Sequence, residues 1–319
     1  MDVPPPEMQP PDQSTLLPPK AIPPARDRLQ SRLVVWIVLP LVAAPPLIGL
    51  LLSAATAQID TRDLAALAIS LCFAFIAWVA KAATPGGAVS GGFVCLSLTS
   101  CRLWSLDAAL VPLLVLFVLT SVATRSGRLR KTRIGLAEPR TGRHASQVIA
   151  NLGVGGLLVF PLNLFVMSIW WPPSGYASGW VTPMLVIAVL AEATADTVSS
   201  EIGQAFAGRP LLFTSLRHVD QGTDGAISLL GTAAGVLAGA LVAFSPCGAM
   251  DLPWRQCSVA FAGAVAGLFF DSFLGATLER RGWIGNDLVN FFSTAFAAAF
   301  ALLILWLVPG LRPSPIVMY

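Results

Sequence analysis

Charge is what this chain has least of: only 12% of its 319 residues are Asp, Glu, Lys or Arg, against 55% hydrophobic, and its mean hydropathy is +0.73. So apolar a composition cannot clothe a soluble domain in polar surface. Histidine is nearly missing as well, with two residues, neither in an HExxH setting, and no GxSxG, Walker loop or CxxC pair occurs. Those absences argue against zinc hydrolysis, a Ser-His-Asp triad, P-loop ATPase chemistry and a Cys-rich metal site. The N-terminal region lacks the apolar centre and cleavage site of a secretory signal, and Asp2, Glu7, Asp12 and Asp27 argue against a transit peptide. No fixed-period repeat is visible, so the sequence gives no support to an inverted-repeat carrier.

What is abundant is long apolar sequence. Windows near 33–53, 63–81, 86–103, 107–123, 147–169, 180–200, 226–245, 258–276 and 288–309 each have the length a bilayer crossing requires. The expected fold is therefore an all-α, polytopic transmembrane helical bundle of about nine spans. The third window, TPGGAVSGGFVCLSLTSC, is so rich in Gly, Ser and Thr that it reads either as a span or as a re-entrant loop. Residues 1–32, with nine prolines in the first 24, read as a solvated tail, 33–309 as the membrane domain, and 310–319 as a short C-terminal tail.

The basic residues orient the bundle. With nine spans and a cytoplasmic N-terminus, 16 of the 20 Lys and Arg fall inside, leaving Arg62, Arg102, Arg255 and Arg312 outside. Eight spans would split the basic tail from the basic 125–143 loop, against the positive-inside rule. Cys247 and Cys257 then share an external loop and read as two unrelated small residues, with a disulfide the alternative if that side is oxidising.

Against this apolar background, Glu192, Asp196 and Asp271 stand out, because a carboxylate at membrane depth costs several kcal/mol (about 2.5 or more) unless paired, metal-bound or hydrated. Glu192 and Asp196 are four apart and share a helix face, while Glu201 lies about 140° off that line. Small Ala, Thr and Ser neighbours leave room for a hard cation and its waters, the setting magnesium favours with phosphates; a satisfied polar contact between helices is the alternative. Asp271 would complete the shell if its helix packs on the sixth, and Gly263, Gly267 and Gly275 would permit that approach.

Phosphate-binding types fall on the same face. Gly222, Thr223, Asp224 and Gly225 read as a helix-opening turn whose amides would cradle an anion, or as an ordinary capped turn. Arg143 and Arg217 are candidate phosphate ligands, and Lys81 is either another or a snorkelling lysine. The basic loop reads either as a topology anchor or as a funnel for a polyphosphate.

The succession GGAVSGG, GRHASQVIANLG, LAEATADTVSSEIG, GTDGAISLLGT, DSFLGAT and NDLVNF resembles the integral membrane family known as domain of unknown function 92, over roughly residues 64–309. That family includes transmembrane protein 19 of animals and the phytyl-phosphate kinase of tocopherol synthesis. The resemblance implies a multi-span enzyme that uses a nucleoside triphosphate, often CTP, to turn an isoprenoid monophosphate into its diphosphate. By that likeness Asp196, Glu201, Asp224, Asp271 and Asn290 fall on motif positions, whereas the segment between DSFLGAT and NDLVNF is shorter than relatives often carry. The expected site thus has Asp196, Glu201 and Asp271 on Mg²⁺, Asp224 assisting, and Lys81, Arg143, Arg217, the 222–225 turn and Asn290 around the phosphates. The expected partners are a lipid phosphate and a nucleoside triphosphate, with no nucleic acid, in a bacterial inner membrane. A lipid cytidylyltransferase and an ion-coupled transporter are the competing readings.

Overall fold

In the computed structural model, the described residues are 22–137, 141–163, 177–249 and 252–311. They form a helical bundle in the order α1 (Pro24–Ala55), α2 (Thr61–Val79), α3 (Pro85–Ser100), α4 (Leu106–Arg125), the short α5 (Arg128–Arg133), α6 (Ala145–Leu158), α7 (Ala177–Phe206), α8 (Leu229–Ala249), α9 (Trp254–Leu274) and α10 (Asn286–Leu307). A two-stranded ribbon, β1 (Leu211–Leu212) with β2 (Ala226–Ile227), ties off the α7–α8 loop. One π-helical turn, Gly275–Glu279, extends α9.

Among the described residues six helices are long and apolar enough to cross a membrane: α1, α2, α7, α8, α9 and α10. All nine apolar windows contain helix, and the described residues do not by themselves establish nine full spans. Helix α3 has 16 residues and α6 has 14, about 24 and 21 Å against a hydrocarbon core of about 30 Å. Both are wrapped in other helices, so their length need not match the lipid. Helix α1 also begins at Pro24, inside the segment expected to be a tail, because a proline at the first helical position starts a helix readily. The rest of the expected N-terminal tail, residues 1–21, lies outside the described residues.

Helix α7 is the axis: 94% of the residues in its most apolar 18-residue stretch are buried. Small residues allow this. On α8, Gly231 and Gly235 lie against the carbonyls of Ser199 and Ala195, where a Cβ would come within 2.5 Å, and Gly239 lies against Ala191 and Ala195. On α6, Gly153 and Gly156 receive Val38 and Val42 of α1. Glycines four apart bring helix backbones into direct contact, which is how helices associate where lipid removes the hydrophobic drive.

Loop contacts sort the helix ends into two groups. At one end Arg102 bridges Asp60 at 2.7 Å and Asp63 at 2.8 Å. The Arg62 amide and the Arg102 guanidinium hold the Asp60 carboxyl below its ordinary range. A disulfide joins Cys247 to Cys257 between α8 and α9, so the two are not the unrelated pair expected from their sequence. At the other end the Arg125 guanidinium donates to the Ala80 carbonyl at 2.8 Å. Arg143 pairs with Ala83 in a short bridge, and Gln30 bonds the 283–285 loop at both 2.9 and 2.8 Å.

Replacing Gly235 by Val should lower stability in detergent by about 1–3 kcal/mol, the usual cost of overpacking. The check is a thermal melt: an unchanged melting temperature would mean that α7 and α8 do not meet at this glycine.

Candidate functional site

A polar cavity of about 310 Å³ opens at the end where the basic loops gather, walled by α6, α7, α9, the 221–228 loop and the start of α10. Its chemistry comes from side chains that each helix delivers at a turn's spacing. Asp196 of α7 faces Asp271 of α9, and Arg143, just before α6, is the cation nearest Asp196. Arg143 also donates to Thr197 Oγ1 at 3.3 Å, and its own main chain is fixed by the Ala82 carbonyl and the Thr84 amide, each at 3.0 Å. Ser293 of α10 sits beside both Glu192 and Asp271.

Two buried oxygens here, Asp271 Oδ2 and Glu192 Oε1, have no hydrogen-bond partner. An orphaned carboxylate oxygen at membrane depth is costly, so Asp271, which lines the cavity, fits a site completed by a cation or a ligand donor. Among the described residues, no three Asp, Glu, His or Cys side chains form a ready-made cage. Two carboxylates suit magnesium nonetheless, which commonly takes one or two from the protein and fills its shell with water and substrate phosphate.

Several expected residues meet here. Asp196, Asp271, Asp224, Arg143, Asn290, Gly222, Thr223 and Gly225 all line the cavity. Glu201 also reaches its wall, but its carboxylate is taken by the ammonium of Lys131, which is only 1% exposed and donates to the Thr124 carbonyl at 2.9 Å as well. The expected three-carboxylate shell is thus not assembled: Glu201 is five residues past Asp196 and points to α5. Lys81 and Arg217 are exposed and do not line this cavity. Lys81 borders a separate slot.

In the 222–225 turn one of the four amides is spent inside the loop, and the helix expected to open there starts later. The Thr223 amide donates to Asp220 at 3.2 Å, the Ala226 amide to Thr223 at 3.0 Å, and Gly225 packs on Gly275. Its helix begins later, at Leu229, where the Ser228 hydroxyl receives the Gly231 amide at 3.1 Å. What the turn does is aim Asp224 into the cavity mouth. Crowding by protein raises the Asp224 carboxyl above its ordinary range, and Arg280 partly offsets this.

Glu279 was not anticipated. It stands at the end of the π-turn, near Asp224, Asp196 and Asp27, and lines the cavity. In sequence it is followed by Arg280 and Arg281 and looks like part of a solvated charged loop. The signal was its spacing from Asp271: eight residues, with Gly275 halfway, continues one helical face.

Residues 68–298 match the family of integral membrane proteins called DUF92. The chain belongs to that family. Similar DUF92 relatives include an uncharacterized membrane protein of Methanocaldococcus jannaschii, 35% identical over 61% of this chain and 75% of its own length. Another uncharacterized membrane protein, from Synechocystis, is 29% identical over 59% of this chain and 70% of its own. Protein VTE6, chloroplastic, of Arabidopsis thaliana is 27% identical over 59% of this chain and 55% of that protein. No solved structure matches. The chain is therefore an integral, multi-pass membrane protein with archaeal, cyanobacterial and plant relatives.

The Lys131–Glu201 pair separates structural acids from cavity acids. Lys131→Met should cost about 3–5 kcal/mol by leaving Glu201 buried and unpaired, and Lys131→Met with Glu201→Met should recover most of it. Thermal unfolding of the three proteins tests this; equal losses in the single and double variants would contradict the pairing.

Proposed function

We propose that this DUF92 protein transfers the terminal phosphoryl group of a nucleoside triphosphate, CTP by expectation, to an isoprenoid monophosphate at the cytoplasmic face of a bacterial inner membrane. The observation that carries this reading is the meeting of Asp196, Asp271 and Arg143 in one cavity, with an unpartnered carboxylate oxygen among them. Acids that hold a divalent cation, beside a guanidinium that holds phosphate oxygens, are what phosphoryl transfer asks of a protein.

Very little covalent help is needed. A monophosphate ester is mostly dianionic near neutral pH, its second pKa being about 6, so its oxygen attacks the terminal phosphorus without a general base. The bond from that phosphorus to the nucleotide's bridging oxygen breaks, the nucleoside diphosphate leaves with the electron pair, and no proton is gained or lost. The paucity of histidine is no handicap for such chemistry. The work left for the protein is to align two anions and cancel their repulsion.

In this reading Asp196 and Asp271 hold magnesium, which would neutralise the polyphosphate. Arg143 grips the oxygens of the transferred group, and its main-chain bonds to Ala82 and Thr84 keep it in place. Asp224 and Glu279 at the mouth, with Asn290, face the nucleotide side. The polar groups gather at one end of the bundle, which favours an interfacial enzyme over a carrier needing access from both faces.

The test is purified protein with γ-labelled CTP or ATP and phytyl, geranylgeranyl or undecaprenyl phosphate. The expected products are prenyl diphosphate and the nucleoside diphosphate. A CDP-lipid with pyrophosphate would mean cytidylyl transfer, and no turnover with any pair would remove the kinase reading. Asp196→Asn and Asp271→Asn should each lower kcat by about 10²–10³-fold while the protein still inserts and melts normally. Full activity in either would reject its place on the metal.

A further inference from the structure

A second recess lies behind Arg143. It is a slot of about 100 Å³ between α2, α3, α4 and α6, floored by Phe73, Ala77, Gly91, Leu116, Phe117 and Leu152. Its polar end is basic: Lys81, Arg125, Arg128 and Arg143 border it, and no acidic residue does. Arg143 lines both the slot and the polar cavity, so the two chambers share one guanidinium as their common wall.

The basic end is firmly built. Lys81 has φ 54°, a left-handed conformation that costs a non-glycine residue energy and persists only where its surroundings enforce it. Enforcement comes from Gly142, also left-handed, whose backbone presses so closely on Lys81–Ala83 that a Cβ would come within 2.6 Å of it. The apolar end faces outward between α2 and α4. The Phe73 and Phe117 rings meet edge to face there at 5.5 Å, and Phe75, Trp78, Val118 and Val122 of the same helices are exposed.

We propose that this slot is the acceptor subsite, taking the phosphate and first isoprene unit of a prenyl monophosphate and leaving the rest of its chain against the lipid-facing sides of α2 and α4. The inference rests on the phosphoryl-transfer reading above and adds where the acceptor lies and how much of it is read. Charge fixes the orientation: a dianion meets the four cations and the chain meets the phenylalanines. Size fixes the reach. At about 100 Å³ the slot is well below the roughly 300–1,000 Å³ that encloses a drug-sized ligand, so it holds only the carbons nearest the phosphate. Recognition is then indifferent to chain length beyond the first unit, and the acceptor's phosphate comes to Arg143 from the side opposite the nucleotide.

Two measurements on the full chain in phosphatidylcholine nanodiscs test this. Gly91 is the site for a plug, since a Cβ there has only Phe73 and Val148 nearby, each at 3.8 Å. Gly91→Leu should raise the KM for geranylgeranyl phosphate at least tenfold and leave the KM for the nucleotide within twofold. Equal KM values for the acceptor in wild type and variant would overturn the proposal. Independently of turnover, geranylgeranyl phosphate carrying a diazirine on its first isoprene unit should label α2 and α4 around Phe73 and Phe117, and a diazirine on its last unit should label lipid. An excess of unlabelled prenyl phosphate should remove the protein label, and phosphatidate should not. Labelling on α9 or α10, or equal displacement by phosphatidate, would sink the subsite even with kinase activity intact. Labelling at the slot without any turnover would keep the subsite and discard the kinase.

Discussion

The bundle is organised by the need to keep the carboxylates of one helix away from lipid on every side. A helix carrying Glu192, Asp196 and Glu201 has no acceptable lipid-facing orientation, because the three acids do not share one face. Encirclement is the remaining solution, and it requires neighbours thin enough to crowd around a single axis. The glycines of α8 supply it on one flank, and Gly267 of α9 does so on another, where a Cβ would strike Glu192 Cγ at 2.5 Å. The short α3 and α6 follow from the same requirement, since helices enclosed by others are freed from the thickness of the bilayer.

Within that enclosure the acids are treated in two ways. Glu201 is neutralised by Lys131, whose ammonium also donates to the Ala123 and Thr124 carbonyls, an arrangement complete in itself. Asp271, on the wall of the polar hollow, and Glu192 instead each keep an oxygen unsatisfied. The contrast along the same wall of the bundle gives the hollow its functional weight. One acid is paired within the fold, and the others leave part of their hydrogen-bonding capacity unused.

Most of the helices were legible from length and hydropathy, and the oriented distribution of Lys and Arg agrees with how the loop contacts group the helix ends. Asp196 and Asp271 were legible because each is an acid inside an apolar run, and Arg143 because it closes a basic loop at the start of an apolar window. Glu201, Lys81 and Arg217 show where that logic stops. Sequence places a side chain near a helix end but does not say which neighbour it meets, and Lys131, hidden among seven basic residues, gave no sign that it would be buried. Glu279 was masked by the arginines after it. The 222–225 turn was read as the opening of a helix, whereas that helix starts at Leu229 and the Thr223 amide turns back to the Asp220 carbonyl. Family membership agrees with the order of motifs over residues 68–298.

Gly225 carries one more implication. Its α-carbon lies so near Ala276 that an added methyl would come within 2.0 Å of the Ala276 nitrogen. Two backbones in such contact have no side chain between them to act as a bearing, so neither slides past the other. Asp224 and Glu279, one residue before and three residues after that weld, are therefore carried on a single rigid jaw. The spacing of those two acids is thus set by direct backbone contact rather than by side-chain packing.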